Sequence, residues 1–176
     1  MFLTRIPDSV QLDDYAIHQH IMEMTAGRRV LYQRKGIEID ILTTYAIEGS
    51  RDFTAKTTAL ADGESILFTT RLNPVVSKVL EKGQRGKRFP VPPQEMRNWT
   101  TAILGRNGAR ADFSILSEGP RFSRKGQSTI TLSSIMVSGV MEILDAEKFR
   151  YALANGIGHG KALGFGMLNI FAHLPP

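Results

Sequence analysis

Asn155-Gly156-Ile157-Gly158-His159-Gly160-Lys161-Ala162-Leu163-Gly164-Phe165-Gly166-Met167-Leu168 puts five glycines, a lysine and a histidine into one short run. Glycine lets the main chain turn through positive φ and lets a ligand approach the backbone closely. Successive N–H groups in such a loop form a concave anion site. Lys161 adds a point charge suited to a phosphate. Without a ligand, the same run is a turn joining a helix to a last strand. Context argues against two nucleotide folds. A dinucleotide fingerprint follows a strand, opens a helix and needs an acid about 20 residues on. Here a helical stretch, Ala146–Ala154, comes first, and a strand, Met167–Ala172, follows. An acetyltransferase-type pyrophosphate loop lacks the helix and strands that should come after it. A loop that holds a phosphate backbone fits better.

Working outward, Ser128–Leu144 is long and β-prone, and Ala109–Leu116 alternates as a strand. Between them, Gly119–Gly126 reads as an arginine-rich turn. Gln94–Leu104 reads as a helix, with Pro93 at its start and Gly105 and Asn107-Gly108 at its end. In the first half, Phe2–Ile6 is a short strand. A helix capped by Asp13 or Asp14 then runs to about Ala26, with Ile17, Ile21 and Met24 as its apolar stripe. Val30–Gln33 and Glu38–Tyr45 flank the Lys35-Gly36 turn, Ser50–Leu60 is a weak helix, and Ser65–Leu72 is a strand. The order βαββαβ is ferredoxin-like, an architecture common in RNA recognition. The second half repeats it except for one strand, sought within Val75–Val91. The expectation is an α+β chain of two tandem ferredoxin-like (RRM-like) domains, residues 1–80 and 94–176. A Lys-, Arg-, Gly- and Pro-rich linker over 81–93 joins them.

The chain has 176 residues, no cysteine and a net charge of +5. The absence of cysteine excludes disulfides, thiolate metal sites and a thiol nucleophile. No run approaches the roughly 18 apolar residues of a membrane span, and Met1–Pro7 does not read as a secretory signal, so a cytoplasmic location without membrane contact is expected. The excess charge is modest and compatible with a polyanionic partner. It is concentrated in Arg28-Arg29, Lys82–Arg88 and Arg121–Lys125.

Of the four histidines, His18 and His20 are two apart on one helix and point to different faces, so they do not make a metal pair of the i, i+4 type. No metal and no cofactor is expected. Tyr15 and His18, three apart, are neighbours on the helix surface. An imidazole beside a phenol suits RNA cleavage by the 2′-hydroxyl, in which one group takes the 2′ proton and another protonates the leaving 5′ oxygen. The ordinary alternative for each helical histidine is a surface or half-buried polar residue.

Several segments, in order, resemble one family: Phe2-Leu3-Thr4-Arg5, Tyr15-Ala16-Ile17-His18-Gln19, Thr70-Arg71-Leu72-Asn73-Pro74, Lys87-Arg88-Phe89-Pro90-Val91-Pro92, Ser117-Glu118-Gly119-Pro120, and the glycine run. The chain is similar to the CRISPR pre-crRNA processing endoribonucleases of type I-E systems, a Cascade subunit of the repeat-associated RNA-binding superfamily. The resemblance implies recognition of the CRISPR repeat hairpin in precursor crRNA and one cut at the 3′ base of the stem. The implied products end in a 2′,3′-cyclic phosphate and a 5′-hydroxyl, and further Cascade subunits are implied as partners. It puts the catalytic histidine at His18 with Tyr15 beside it. The RNA-binding set is Arg121, Arg124, Lys125, Gly158, His159 and Lys161, with Arg85, Lys87 and Arg88 as additional cations. A non-catalytic RNA-binding scaffold of the same fold is the main alternative. A small-molecule transferase using the glycine loop is a further one.

Overall fold

The computed structural model describes residues 1–8, 13–54, 57, 59–78 and 86–174, apart from the side chains of Ser117 and Lys125. The first strand, β1 (Phe2–Pro7), leads to helix α1 (Asp14–Met24), then β2 (Leu31–Lys35), β3 (Glu38–Thr43) and the two-residue β4 (Arg51–Asp52). These strands form one antiparallel sheet in the order β2-β3-β1-β4. Its continuation is β5 (Ser65–Leu72), β6 (Val75–Lys78), β7 (Lys87–Pro90), α2 (Met96–Arg106), β8 (Ala109–Lys125), β9 (Ser128–Ile143), α3 (Ala146–Asn155) and β10 (Leu168–Leu174). The second sheet runs β10-β5-β9-β8. Each sheet has its first strand beside its last and its third beside its second, the order of a ferredoxin-like domain. The chain is α+β with two such domains.

One expected placement is corrected. Ser65–Leu72 does not close the first sheet. It pairs with β9 along its whole length and with β10 on its other edge, so it is the opening strand of the second. Ile66, Phe68 and Leu72 alternate into the larger core with Phe113, Val137, Met141, Phe149 and Leu153. Periodicity says that such a strand has one apolar face; it does not name the sheet that buries it. We place the boundary between the units within residues 53–64 on this sheet membership. The strand sought within Val75–Val91 is two strands, β6 and β7, which among the described residues pair with each other in a separate two-stranded sheet. The helix expected over Ser50–Leu60 falls partly outside the described residues, and β4 occupies its beginning.

Asp13 caps α1: one carboxylate oxygen accepts the Tyr15 and Ala16 N–H groups, each at 2.9 Å. Those donors are orphans at any helix start. Ile17 and Ile21 bury against Tyr32, Ile39 and Ile41 in the first domain's core. Met24, expected on the same stripe, is 42% exposed at the last turn.

The opposite face of the first sheet meets the C-terminal strand. Leu31 and Leu42 pack on Met167, and Asn169 donates a hydrogen bond to Gln33, both buried. Asp40, on this face, accepts from Arg5 and Lys35, each at 2.7 Å. Burial pushes its carboxyl up, but those two hydrogen bonds outweigh it and hold the group below its ordinary range. The two pairs link β1, through Arg5, and β2, through Lys35, to β3.

Strands β8 and β9 run well past the sheet as a two-stranded arm. The expected turn over Gly119–Gly126 is mostly strand. Gly119, at φ 74°, makes a bulge, and the chain reverses only between Lys125 and Ser128. Glycine and proline here mark a bulge that bends the arm rather than its end. At the bulge, Glu118 accepts two hydrogen bonds from the Arg71 guanidinium, at 2.8 and 2.9 Å, and one from Ser134.

Candidate active site

His18 sits on the half-buried face of α1. Burial pulls its pKa below the ordinary 6.5, so near neutrality the imidazole is free to accept a proton. The Tyr15 and His18 rings lie 6.2 Å apart, tilted by 52°. His20 is exposed, on another face. In front of His18 a cleft of about 320 Å³ is lined by Met22, Arg29, Tyr32, Lys161 and Ala162. The expected pair of the opening helix and the glycine run therefore meet at one cleft.

Tyr32 holds the two sides of that cleft together. It is 1% exposed, and its hydroxyl donates to the carbonyl oxygens of Asp14, at 2.9 Å, and Ala162, at 3.2 Å. Burial and the nearby Asp14 carboxylate push the phenol's pKa up, which keeps the donated proton in place. The loop lies flat on the Tyr32 ring because Gly164 has no side chain: a Cβ there would be 3.1 Å from the ring. Gly166 is tighter. Its φ is 79°, and a Cβ would lie 2.1 Å from the Ile157 carbonyl oxygen. Its N–H donates to the Arg71 carbonyl at 2.7 Å, and its own carbonyl accepts from the Ile157 N–H at 2.8 Å. The glycine run is thus closed on itself and fastened to the end of β5. A bridge between Asn73 and His159 fastens it a second time.

The charges form a row. Lys161 is pushed below its ordinary 10.5 by burial and then by Arg29. His159 is lowered by burial, then by Arg88 and Lys161. His159 therefore feels Arg88 and Lys161, and Lys161 feels Arg29. Lys87 and Arg88 are exposed on β7. Arg124 is exposed on the arm.

Two of the expected RNA-binding residues have protein contacts of their own. Arg121 makes a bidentate ion pair with Asp14, at 2.6 and 2.8 Å, so its guanidinium faces helix α1. Gly158 faces the second domain's core: a Cβ there would meet Ile103 at 3.2 Å. Arg85 and the Lys125 side chain lie outside the described residues. Conversely, sequence pattern alone does not mark Arg29 or Tyr32 as site residues. Arg29 stood in a noted basic pair just after the helix stop. Tyr32 looked like any β-strand aromatic, and only the fold shows what its hydroxyl holds.

The sequence matches, over residues 40–171, the family described as CRISPR associated protein. The chain belongs to that family. No curated protein sequence matches it. Among solved structures, this family member is similar to Cas6e from Escherichia coli str. K-12, with 21% identity and a TM-score of 0.76 over 97% of this chain and 98% of that one. It is similar to Cse3 of Thermus thermophilus bound to an RNA representing a pre-cleavage complex, with 22% identity and a TM-score of 0.75 over 97% and 98% of the two chains. It also matches a chain of E. coli Cascade bound to a PAM-containing double-stranded DNA target, at 20% identity and a TM-score of 0.64 over 97% and 98%. At these identities the likeness carries the fold, both ferredoxin-like domains included. No helix among the described residues is long and apolar enough to cross a membrane.

Proposed function

We propose that this CRISPR-associated protein is an endoribonuclease that binds the hairpin of CRISPR repeat RNA and cuts precursor crRNA at the 3′ base of the stem. It then stays on its product as a Cascade subunit. The observation that carries the reading is the meeting of His18 and Lys161, from opposite ends of the chain, at one cleft edged by further cations. The RNA-bound Cse3 and the Cascade assembly sharing the fold support it.

The chemistry follows from the groups present. The neutral His18 imidazole accepts the proton of the 2′-hydroxyl, and the 2′ oxygen attacks the adjacent phosphorus. The bond from phosphorus to the 5′ oxygen breaks. The leaving oxygen takes a proton from the Lys161 ammonium, a stronger acid than a free lysine because of its burial and Arg29. Arg29, on the cleft wall, supplies positive charge where negative charge builds up on the non-bridging oxygens of the phosphorane, and Tyr15 lies beside His18 on the helix surface. The products are a 2′,3′-cyclic phosphate and a 5′-hydroxyl. These side chains supply both proton transfers themselves, so the reaction is metal-independent.

Duplex RNA offers a deep, narrow major groove, so a stem is gripped by its phosphates and shape. The row from Arg88 through His159 to Lys161, with Arg124 and Lys87, is suited to that. The test is cleavage of the repeat RNA in EDTA by wild type, His18→Ala and His20→Ala. Loss of the base should cost about 10²–10⁴-fold, with RNA binding retained. His20→Ala should cut normally. Binding of the hairpin with no cleavage by the wild type would favour the scaffold reading instead.

A further inference from the structure

The arm and the catalytic helix are tied at four points. Arg121 grips the Asp14 carboxylate with both ends of its guanidinium fork, at 2.6 and 2.8 Å. The Tyr15 N–H donates to Ser123 Oγ at 2.8 Å. Ser123 in turn donates to Asp13 at 3.5 Å, and the Arg124 N–H donates to the other Asp13 oxygen at 3.2 Å. Asp14 is 5% and Ser123 2% exposed, so the middle of this contact is buried, while Arg124 at its edge is open to solvent. Residues 121 and 123 thus point one way, into the first turn of α1. Phe122 and Arg124 point the other, with Phe122 63% exposed. One face of the arm is spent on the helix and the other is left for a ligand.

We infer that this contact is a latch that sets the catalytic helix by the position of the RNA-gripping arm, with Asp14 and Arg121 as its positioning residues. The inference rests on the nuclease reading above. Asp14 does not face the cleft through its side chain, yet its carbonyl takes the Tyr32 hydroxyl and its helix carries Tyr15 next to it and His18 one turn on. A stem bound across Phe122 and Arg124 therefore bears on the same turn that aims the base. A bidentate guanidinium–carboxylate pair fixes angle as well as distance, which a lysine does not. Arg121 is accordingly no phosphate ligand but the hinge pin between grip and chemistry.

The test separates rate from binding. Single-turnover cleavage at saturating enzyme is measured for Asp14→Asn, Arg121→Gln and Arg121→Lys. Binding is measured with repeat RNA carrying a 2′-deoxy nucleotide at the cut. Asp14→Asn and Arg121→Gln should slow cleavage by about 10- to 100-fold, the scale of a misplacement near 1 Å. Arg121→Lys should fall between them and the wild type. Binding should change less than about threefold in each, because no phosphate contact is lost. If Asp14→Asn instead binds RNA more tightly and cuts as fast as wild type, Arg121 is a phosphate ligand held in reserve and the latch is refuted. A uniform loss of binding across the arginine variants refutes it as well. Hydrogen exchange gives a readout independent of cutting: Arg121→Gln should speed exchange in α1, and unchanged protection there overturns the proposal. Should the wild type cut no repeat, the nuclease reading falls by itself and the exchange measurement alone decides the latch.

Discussion

Replacing Gly166 by alanine tests whether the glycine run is held as described. The new methyl would stand 2.1 Å from the Ile157 carbonyl oxygen, a backbone atom that cannot swing aside, and its residue would sit at φ 79°. The left-handed backbone alone costs a non-glycine residue about 1–2 kcal/mol. Relieving the collision means parting residues 157 and 166, which breaks the Ile157-to-Gly166 hydrogen bond and strains the one from Gly166 to Arg71. Two such bonds contribute about 1 kcal/mol each. The total, about 3–4 kcal/mol, lowers the melting temperature by roughly 6–16 °C for a chain of this size. Gly126→Ala is the control: φ is +60° there too, but the methyl would enter open space. Its cost should stop at the backbone strain, leaving the two variants about 2 kcal/mol apart. The assay is calorimetric or spectroscopic melting of both proteins beside the wild type. If Gly166→Ala melts no lower than Gly126→Ala, the loop is not closed through Ile157 and the position assigned to Lys161 is wrong.

The cleavage rate should rise with pH as His18 loses its proton, with a midpoint below 6.5, because burial lowers that pKa and the neutral form is the base. It should fall again at alkaline pH below 10.5 as Lys161 loses its charge. Arg29→Ala removes one of the two causes that lower Lys161, so the alkaline limb should move up in pH while the burial contribution remains; a limb that stays put in a pH–rate profile contradicts the pairing. Tyr32→Phe deletes the hydroxyl shared between Asp14 and Ala162. Losing it should cost about 1 kcal/mol of stability and slow single-turnover cleavage by roughly tenfold with little change in RNA affinity, since cleft geometry and not contact area is disturbed. Affinity for the hairpin should fall steeply with salt as counterions are released, and Arg124→Ala should flatten the log–log slope by about one phosphate contact. An unchanged slope in filter binding would remove Arg124 from the interface.

Local signals were legible wherever the physics is local. A carboxylate cap at Asp13 or Asp14, the strand and helix alternations, and the Tyr15–His18 neighbourhood all follow from residues a few positions apart. The glycine run announced a tight loop near a charge, and the fold shows what it closes around. Non-local pairing was harder to read. Ser65–Leu72 has a clean alternation, but its partners, β9 and β10, are far along the chain. The first sheet's actual last strand, Arg51–Asp52, is too short for any period to show. Arg121 looked like a phosphate contact because a basic cluster on a hairpin usually is one. Its partner, Asp14, could equally have been the helix cap. Only the arm's extension over α1 gives the two carboxylates separate tasks, Asp13 to the backbone and Asp14 to the guanidinium. Tyr32 was hidden because a strand aromatic has an apolar duty, burying its ring, that accounts for it fully until the hydroxyl's acceptors are seen.

The account stands or falls with the identity of the bond broken and the groups that break it. The most direct measurement is end analysis of both fragments after the protein has acted on repeat RNA in the presence of a chelator. A 2′,3′-cyclic phosphate on the upstream fragment and a 5′-hydroxyl on the downstream one are the predicted result. A 3′-hydroxyl with a 5′-phosphate would mean that water attacks instead of the neighbouring 2′ oxygen, and His18 would lose its assigned role.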